Sequence, residues 1–254
     1  MNMPIRRFLS SRGVFAALIL AATGAGAHEV WIEDTPEGKL FVRFAEYGDD
    51  FEKSPGALDA LTLPFAWTPG VESKEEPKKP GAEKESAGSR EARDIKAGKV
   101  ESFAVEKKAD GFLLAGAVAT QAAQIETGFT VMGQAGDPEK PARKPYFYAR
   151  WQPAGAGVAK PALNFDLVPT GTPGKVCVYF RGKPLAGVKV KLYPPAEAEQ
   201  ELVSDAEGLV QFSATKPGLY LLAAAHQRET ITGFFGGKAY DAISHNCSLS
   251  WRQP

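Results

Sequence analysis

The sequence predicts an all-β protein, in which an N-terminal β-rich domain is followed by an antiparallel β-sandwich of immunoglobulin-like or transthyretin-like type. Two observations favour this fold class. Short runs rich in β-branched and aromatic residues recur along the chain with turn residues between them, and clear amphipathic helices are hard to find. One short helical turn is expected between Phe51 and Leu63, because Ser54-Pro55 offers an N-cap followed by a proline.

Residues 1–27 have the pattern of a cleaved secretory signal peptide. Arginines precede a compact apolar run at residues 13–22, and an A-x-A cleavage pattern ends at Ala27. A membrane anchor is the alternative, but the run is about half of the roughly 20 apolar residues that a bilayer span requires. We therefore expect a periplasmic protein that begins at His28 and does not insert into the membrane after signal removal.

The N-terminal domain is expected at residues 28–152. Its predicted strands share β-branched or aromatic residues and lie at 40–44, 101–105, 111–118 and 146–151. Within it, the densely charged stretch 71–99 has no aromatic residue and predicts a disordered, solvated loop. The acidic turn, residues 46–52, could hold a hard cation. It lacks the ligand spacing of a calcium loop, so a solvated turn is the simpler interpretation.

The C-terminal sandwich is expected at residues 160–254, after a linker-like segment at 152–162. Its predicted strands are separated by turn residues at regular intervals and lie at 163–169, 175–180, 187–194, 209–214, 219–226 and 244–251. The only two cysteines, Cys177 and Cys247, could form a disulfide in an oxidising compartment. One such bond would not make the fold depend on disulfides.

Composition and motifs exclude several functions. Acidic and basic residues balance at 30 each, so no global field favours binding of nucleic acid. The sequence has neither the G-x-S-x-G turn of a serine hydrolase nor a phosphate-binding loop, and Cys177 lies in an apolar strand, where a thiol is normally inert. We therefore expect that the protein is not an enzyme.

The three histidines are the candidate metal ligands. Cleavage after Ala27 would give His28 a free α-amine beside its imidazole, and one more imidazole would complete the three-nitrogen set called a histidine brace. His226 ends a predicted strand, and His245 begins the last one on the face of Cys247. Consecutive strands are usually neighbours, so these two could approach each other. Against a metal site, a histidine at a strand end is more often hydrogen-bonded to backbone, and no short ligand spacing is present.

Several segments resemble the NikM-like family of bacterial periplasmic proteins. These are HEVWIE at the predicted signal junction, VRFAEYGDDFEKSPGALDAL, RGKPLAGVKVKLY, DAEGLVQF and KPGLYLLAAAH. The family is largely uncharacterised and is associated by name and genomic company with uptake of nickel, cobalt or other transition metals. The charged stretch at 71–99 looks like an insertion peculiar to this chain.

The resemblance implies a periplasmic β-rich protein that binds a metal or metal complex beside a membrane transporter or receptor, without chemistry of its own. By position, His28 and His226 match histidines typical of the family, and His245 matches less closely. The implied metal is nickel, cobalt or another transition metal, and the nitrogen donors of the histidines also suit copper.

Two functions of different classes, and one variant, follow from these observations. The first is a metal-binding accessory protein with His28 and His226 as ligands and His245 as a further candidate. The alternative is a non-metal interaction module that docks a transporter, receptor or surface polymer through exposed aromatics, at Phe234-Phe235 or at residues 146–151. A copper-dependent oxidative enzyme ranks last, because nothing in the sequence specifies a substrate platform.

Overall fold

The computed structural model describes residues 28–69, 101–137, 140–154, 156 and 158–254, and only the backbone of His226. The predicted signal peptide at 1–27 and the predicted disordered loop at 71–99 lie outside these residues. The described part is all-β, as predicted, and its one helical element is a 3₁₀ turn at Ala57–Ala60. This turn lies where a helical turn is expected, but its N-cap is Gly56 rather than Ser54.

Seventeen strands make up the rest of the regular structure in the described residues. In chain order they are β1 (Glu29–Asp34), β2 (Lys39–Ala45), β3 (Phe65–Trp67), β4 (Ser102–Lys108), β5 (Gly111–Val118), β6 (Ala123–Gly128), β7 (Arg143–Trp151), β8 (Phe165–Pro169), β9 (Lys175–Phe180), β10 (Lys183–Pro184), β11 (Lys189–Tyr193), β12 (Gln200–Val203), β13 (Leu209–Gln211), β14 (Gly218–Glu229), β15 (Gly233–Phe235), β16 (Lys238–Tyr240) and β17 (Ala242–Gln253).

Eleven of these strands form one long ladder, in the order β1-β2-β5-β4-β3-β6-β7-β17-β14-β11-β12. The ladder folds back on itself, so that β1 lies against the face of β17. There the hydroxyls of Ser248 and Ser250 donate hydrogen bonds to the backbone carbonyls of Val30 and Ile32, the former at 2.7 Å. A small sheet of β8, β9, β10 and β13 shares a second buried cluster with β14 and β17. The result is a layered arrangement of sheets with apolar cores between them.

Alternation along β7 directs side chains into two different cores. Phe147, Ala149 and Trp151 belong to the cluster that also contains residues of β1, β2 and β5. Tyr148 lies on the other face, in the cluster that contains residues of β8, β9, β14 and β17. Because side chains of a strand alternate between its two faces, β7 contributes to both cores.

β7 and β17 join the two parts of the chain directly. They pair in parallel over nine residue pairs, from Arg143↔Ala242 to Trp151↔Ser250. The predicted C-terminal sandwich therefore shares one hydrogen-bonded sheet with the predicted N-terminal domain. The division into domains near residues 152–160 stays a prediction, and the topology shows that the two parts are not separate sheets.

A fully buried ion pair connects β7 to β8. The Arg150 guanidinium donates to the Asp166 carboxylate through Nε at 3.1 Å and Nη2 at 2.7 Å. The same carboxylate accepts the backbone N–H groups of Ala162 at 2.9 Å and Leu163 at 3.2 Å. Both charged side chains are completely shielded from solvent. Asp166 therefore holds the segment before β8 as well as the arginine.

In the part of the chain that the structure describes, no helix has the length and apolar character needed to cross a membrane.

Candidate functional site

The expected contact between the last two long strands is present. β14 pairs antiparallel with β17 from Gly218↔Gln253 to Ala224↔Cys247, and the ladder resumes at Gln227↔His245. Two residues of β14, Ala225 and His226, therefore lie opposite one residue of β17 and form a β-bulge. The predicted end of this strand at His226 is wrong, because the strand continues past the bulge to Glu229.

His28 and this bulge border the same cavity. The cavity has a volume of about 280 Å³. It is lined by residues 28–30, 223–225 and 246–248, by Phe147, by Lys189 and Lys191 of β11, and by Glu201 of β12. Ala225, the residue directly before His226, is part of this lining. The packing of β1 on β17 thus places His28 and the bulge of β14, which are distant in sequence, at the border of one cavity.

The imidazole of His28 is held by the acidic turn. Its Nε2 lies 2.6 Å from Oε1 of Glu52, and its Nδ1 lies 3.9 Å from Oε1 of Glu46. The ring also packs against Phe44, with centroids 5.0 Å apart. The side chain of His28 remains 40% exposed, so the ring is oriented and still accessible.

The hairpin β1–β2 explains why these groups meet. Its antiparallel register pairs Glu29 with Ala45, so the residue before β1 comes opposite the residue after β2. His28 therefore faces Glu46. The sequence carries this signal, since the turn Pro36-Glu37-Gly38 separates two strand-like runs, but sequence reasoning treated His28 and the acidic turn as separate features.

The remaining predicted ligand, His245, is directed elsewhere. Its Nδ1 lies 3.0 Å from the Tyr148 hydroxyl and its Nε2 lies 2.9 Å from Oε2 of Glu229. The face predicted for it is confirmed, because Cys247 belongs to the cluster that also contains Tyr148. Because both of its ring nitrogens contact protein groups, His245 is left out of the proposed ligand set.

Burial of His245 gives a pH-dependent stability. Desolvation lowers its pKa below the ordinary value, partly offset by Glu229. The unfolded chain then takes up a proton at a higher pH than the folded protein. We expect the free energy of unfolding to fall as the pH drops from about 6.5, the ordinary histidine pKa, towards the lower folded-state value. Urea denaturation at several pH values should show this slope, and the slope should be smaller in a His245→Gln variant. An identical slope in both proteins would assign it to other groups.

Among the described side chains, no three from His, Cys, Asp and Glu are grouped closely enough to form a metal centre. That finding does not include the α-nitrogen of His28 or the side chain of His226. The described part therefore contributes the imidazole of His28 and its carboxylate neighbours, and these must be combined with other donors to hold an ion.

Cys177 and Cys247 are free thiols in this structure, so the disulfide considered from the sequence is not formed. Cys247 lies in the core between the sheets. Val176 and Val178 point into that core, so Cys177, between them on β9, points to the opposite face, where its Sγ lies 3.5 Å from the carbonyl of Glu207. Burial raises the pKa of both thiols, which makes them poor nucleophiles.

Only one of the two aromatic segments considered for docking is exposed. Phe234 on the hairpin β15–β16 is 72% exposed, whereas Phe147, Tyr148 and Trp151 of β7 are buried. Phe235 is less exposed and lies under Lys144, whose Nζ is 3.9 Å from the ring centroid.

A family model described as a domain of unknown function, DUF4198, matches residues 25–228. This range includes both the hairpin next to His28 and the bulge that contains His226. Neither a curated protein nor a solved structure matches the chain.

Proposed function

The chain belongs to the DUF4198 family, a domain of unknown function, and we propose that it is a periplasmic protein that binds a transition-metal ion during metal uptake or handling. The proposed ligands are the α-amine and imidazole of His28, exposed by signal-peptide removal, together with the imidazole of His226. Its proposed partners are components of a membrane transporter or receptor, and the protein itself carries out no reaction.

One observation carries this proposal. His28, directly before β1, and Ala225, in the bulge of β14 directly before His226, border one cavity although they come from opposite ends of the chain, and this supports the proposed ligand pair. β-Bulges commonly redirect a side chain beside a functional site.

The chemistry of His28 suits a divalent transition metal. An α-amine has an ordinary pKa of about 8, so it loses its proton to a metal at little cost. Amine and imidazole nitrogens of one residue can bind the same ion, and nitrogen donors suit nickel, copper and zinc. Copper(II) has the highest intrinsic affinity among these metals and cobalt a lower one, so availability in the cell decides which metal is carried.

Metal binding should depend on the first residue of the mature protein. We expect the chain that begins at His28 to bind one equivalent of Cu(II) or Ni(II) in calorimetric titration. Addition of one residue before His28 converts the amine into an amide and removes it as a ligand. Loss of a residue that only supports a ligand costs up to about 100-fold in metal affinity, so we expect loss of the amine to lower the affinity by at least about 100-fold. His226→Ala should also weaken binding, and His245→Gln should not.

Mass spectrometry of the exported protein first establishes that the mature chain begins at His28. Circular dichroism must then show that the extended protein keeps its β-structure. Tight stoichiometric binding by the extended protein would contradict the proposal, and so would a mature chain that begins at another residue.

A second candidate function rests on the hairpin β15–β16, where Phe234 is exposed to solvent. A module that docks a transporter, receptor or surface polymer would use such an aromatic side chain. Phe234→Ser would weaken docking and leave metal binding unchanged, so the two functions can be measured separately in one protein.

A further inference from the structure

We propose that the acidic turn completes the metal site at His28, with Glu52 as a positioning residue and Glu46 as a carboxylate ligand. This inference rests on the proposed function and names two further residues of that site. The sequence alone predicts that the acidic turn is either a solvated segment or a site for a hard cation, in both cases separate from His28.

Backbone hydrogen bonds hold the acidic turn beside His28. The backbone N–H of Asp49 donates to the Glu46 carbonyl at 3.0 Å, and that of Glu52 donates to the Phe44 carbonyl at 2.9 Å. The two glutamates therefore lie at the ends of a closed loop. The register of β1 and β2 then places both beside the histidine.

The contact with Glu52 selects the tautomer of His28. An ionised carboxylate only accepts hydrogen bonds, so at 2.6 Å from it Nε2 must carry a proton. In the neutral ring the lone pair is then on Nδ1, the nitrogen nearer to the α-amine. Metal-binding histidines usually donate their other ring N–H to a carboxylate, which orients the ring and increases the basicity of the ligand nitrogen. Glu52 therefore leaves the lone pair of Nδ1 free to bind an ion together with the α-amine.

Glu46 is placed to provide an oxygen to the same ion. Its Oε1 is 3.9 Å from Nδ1 of His28. Two donors that each lie about 2.0–2.2 Å from one metal ion are about 3 Å apart. A side-chain rotation that moves the Glu46 oxygen by about 1 Å would therefore let it bind the same ion as Nδ1. The Glu46 side chain is 39% exposed and can make this adjustment.

A carboxylate beside the nitrogen donors restricts the choice of metal. Copper(I) prefers thiolate and thioether ligands, whereas divalent copper, nickel, cobalt and zinc accept imidazole, amine and carboxylate. The site would therefore bind divalent ions and discriminate against copper(I).

Isosteric substitutions test both roles in the protein that begins at His28, with Cu(II) as the probe. Glu46→Gln should weaken Cu(II) binding about 10-fold or more and change the electron paramagnetic resonance spectrum of the saturated protein, because an oxygen ligand is lost. Asp50→Asn makes the same change of charge in the same turn and should alter neither measurement. A wild-type affinity and spectrum in Glu46→Gln would overturn the role of Glu46.

Glu52 is tested by removal and rescue. Glu52→Leu removes the acceptor for Nε2 and should reduce the affinity by about 10- to 100-fold, while the spectrum at saturation keeps the wild-type ligand set. Glu52→Gln retains an oxygen that accepts the same hydrogen bond, and it should recover most of the affinity. Equal losses in both variants would assign to Glu52 a general electrostatic effect and overturn its role in positioning.

The failures of the two proposals are distinguishable. If the one-residue extension before His28 leaves Cu(II) binding unchanged, the proposed function fails. If the extension abolishes binding but the glutamate variants bind normally, the function stands and the inference about the acidic turn fails.

Discussion

Replacement of Asp166 by alanine is expected to lower the free energy of unfolding by about 3–5 kcal/mol, the range found when one partner of a buried ion pair is removed. Arg150 would then keep its charge in a site with no exposure to solvent. Its Nη1 already has no hydrogen-bond partner among the described residues, so it cannot compensate for the loss. Two backbone N–H groups of the segment before β8 would lose their acceptor as well.

Urea denaturation followed by circular dichroism measures this effect. Glu201→Ala is the matched control, because it removes a carboxylate from an exposed pair with Lys189 and should stay close to the wild-type stability. The double variant Arg150→Met/Asp166→Leu should be more stable than Asp166→Ala, since it leaves no buried charge unpaired. Similar stabilities of Asp166→Ala and Glu201→Ala would contradict the prediction.

A second large effect is expected for Trp31→Ala, which should lower the free energy of unfolding by about 3–5 kcal/mol, as is typical when a large aromatic side chain is deleted from a core. Trp31 is 1% exposed and packs with Tyr193 and Leu221 between β1 and the strands β11 and β14. The rings of Tyr47 and Phe51 also contact it, with centroids 5.4 and 5.9 Å away. The cavity left by alanine would loosen β1 from the sheet on which it packs.

The same substitution connects stability with the proposed site. β1 begins directly after His28, so its attachment determines where the proposed amine and imidazole lie relative to the bulge. We expect Trp31→Ala to weaken Cu(II) binding as well as stability, and Trp31→Phe, which fills most of the space, to show smaller losses of both. If the Trp31→Ala protein is measurably destabilised but binds Cu(II) with the wild-type affinity, the predicted dependence of metal binding on the packing of β1 is wrong.

Local sequence patterns predicted most strands because apolar alternation and turn residues are local properties. The predicted strands at 111–118 and 175–180 coincide with β5 and β9. β3 was missed because it has only three residues, and β6 because AQIETG mixes small and polar residues without clear alternation. β1 is not predicted either, because its short sequence directly follows the cleavage pattern of the predicted signal peptide.

Long-range pairing could not be predicted in the same way. Parallel pairing of β7 with β17 joins residues about 100 positions apart, and period-two alternation indicates only which face a side chain occupies. The same limit applies to the site. His28 and His226 are candidate ligands from the sequence, but the cavity that His28 and the bulge border depends on how β1 packs across β17. Glu46 and Glu52 required the register of the first hairpin.

The position of β17 between β7 and β14 also has a consequence for biosynthesis. The chain is synthesised with its amino end first, so β7 is complete long before its parallel neighbour is available. Until the final strand arrives, one side of β7 presents unsatisfied backbone donors and acceptors, which are a template for pairing with another chain. A chaperone that covers this edge of β7 until β17 is available would therefore protect the N-terminal half of the protein from aggregation.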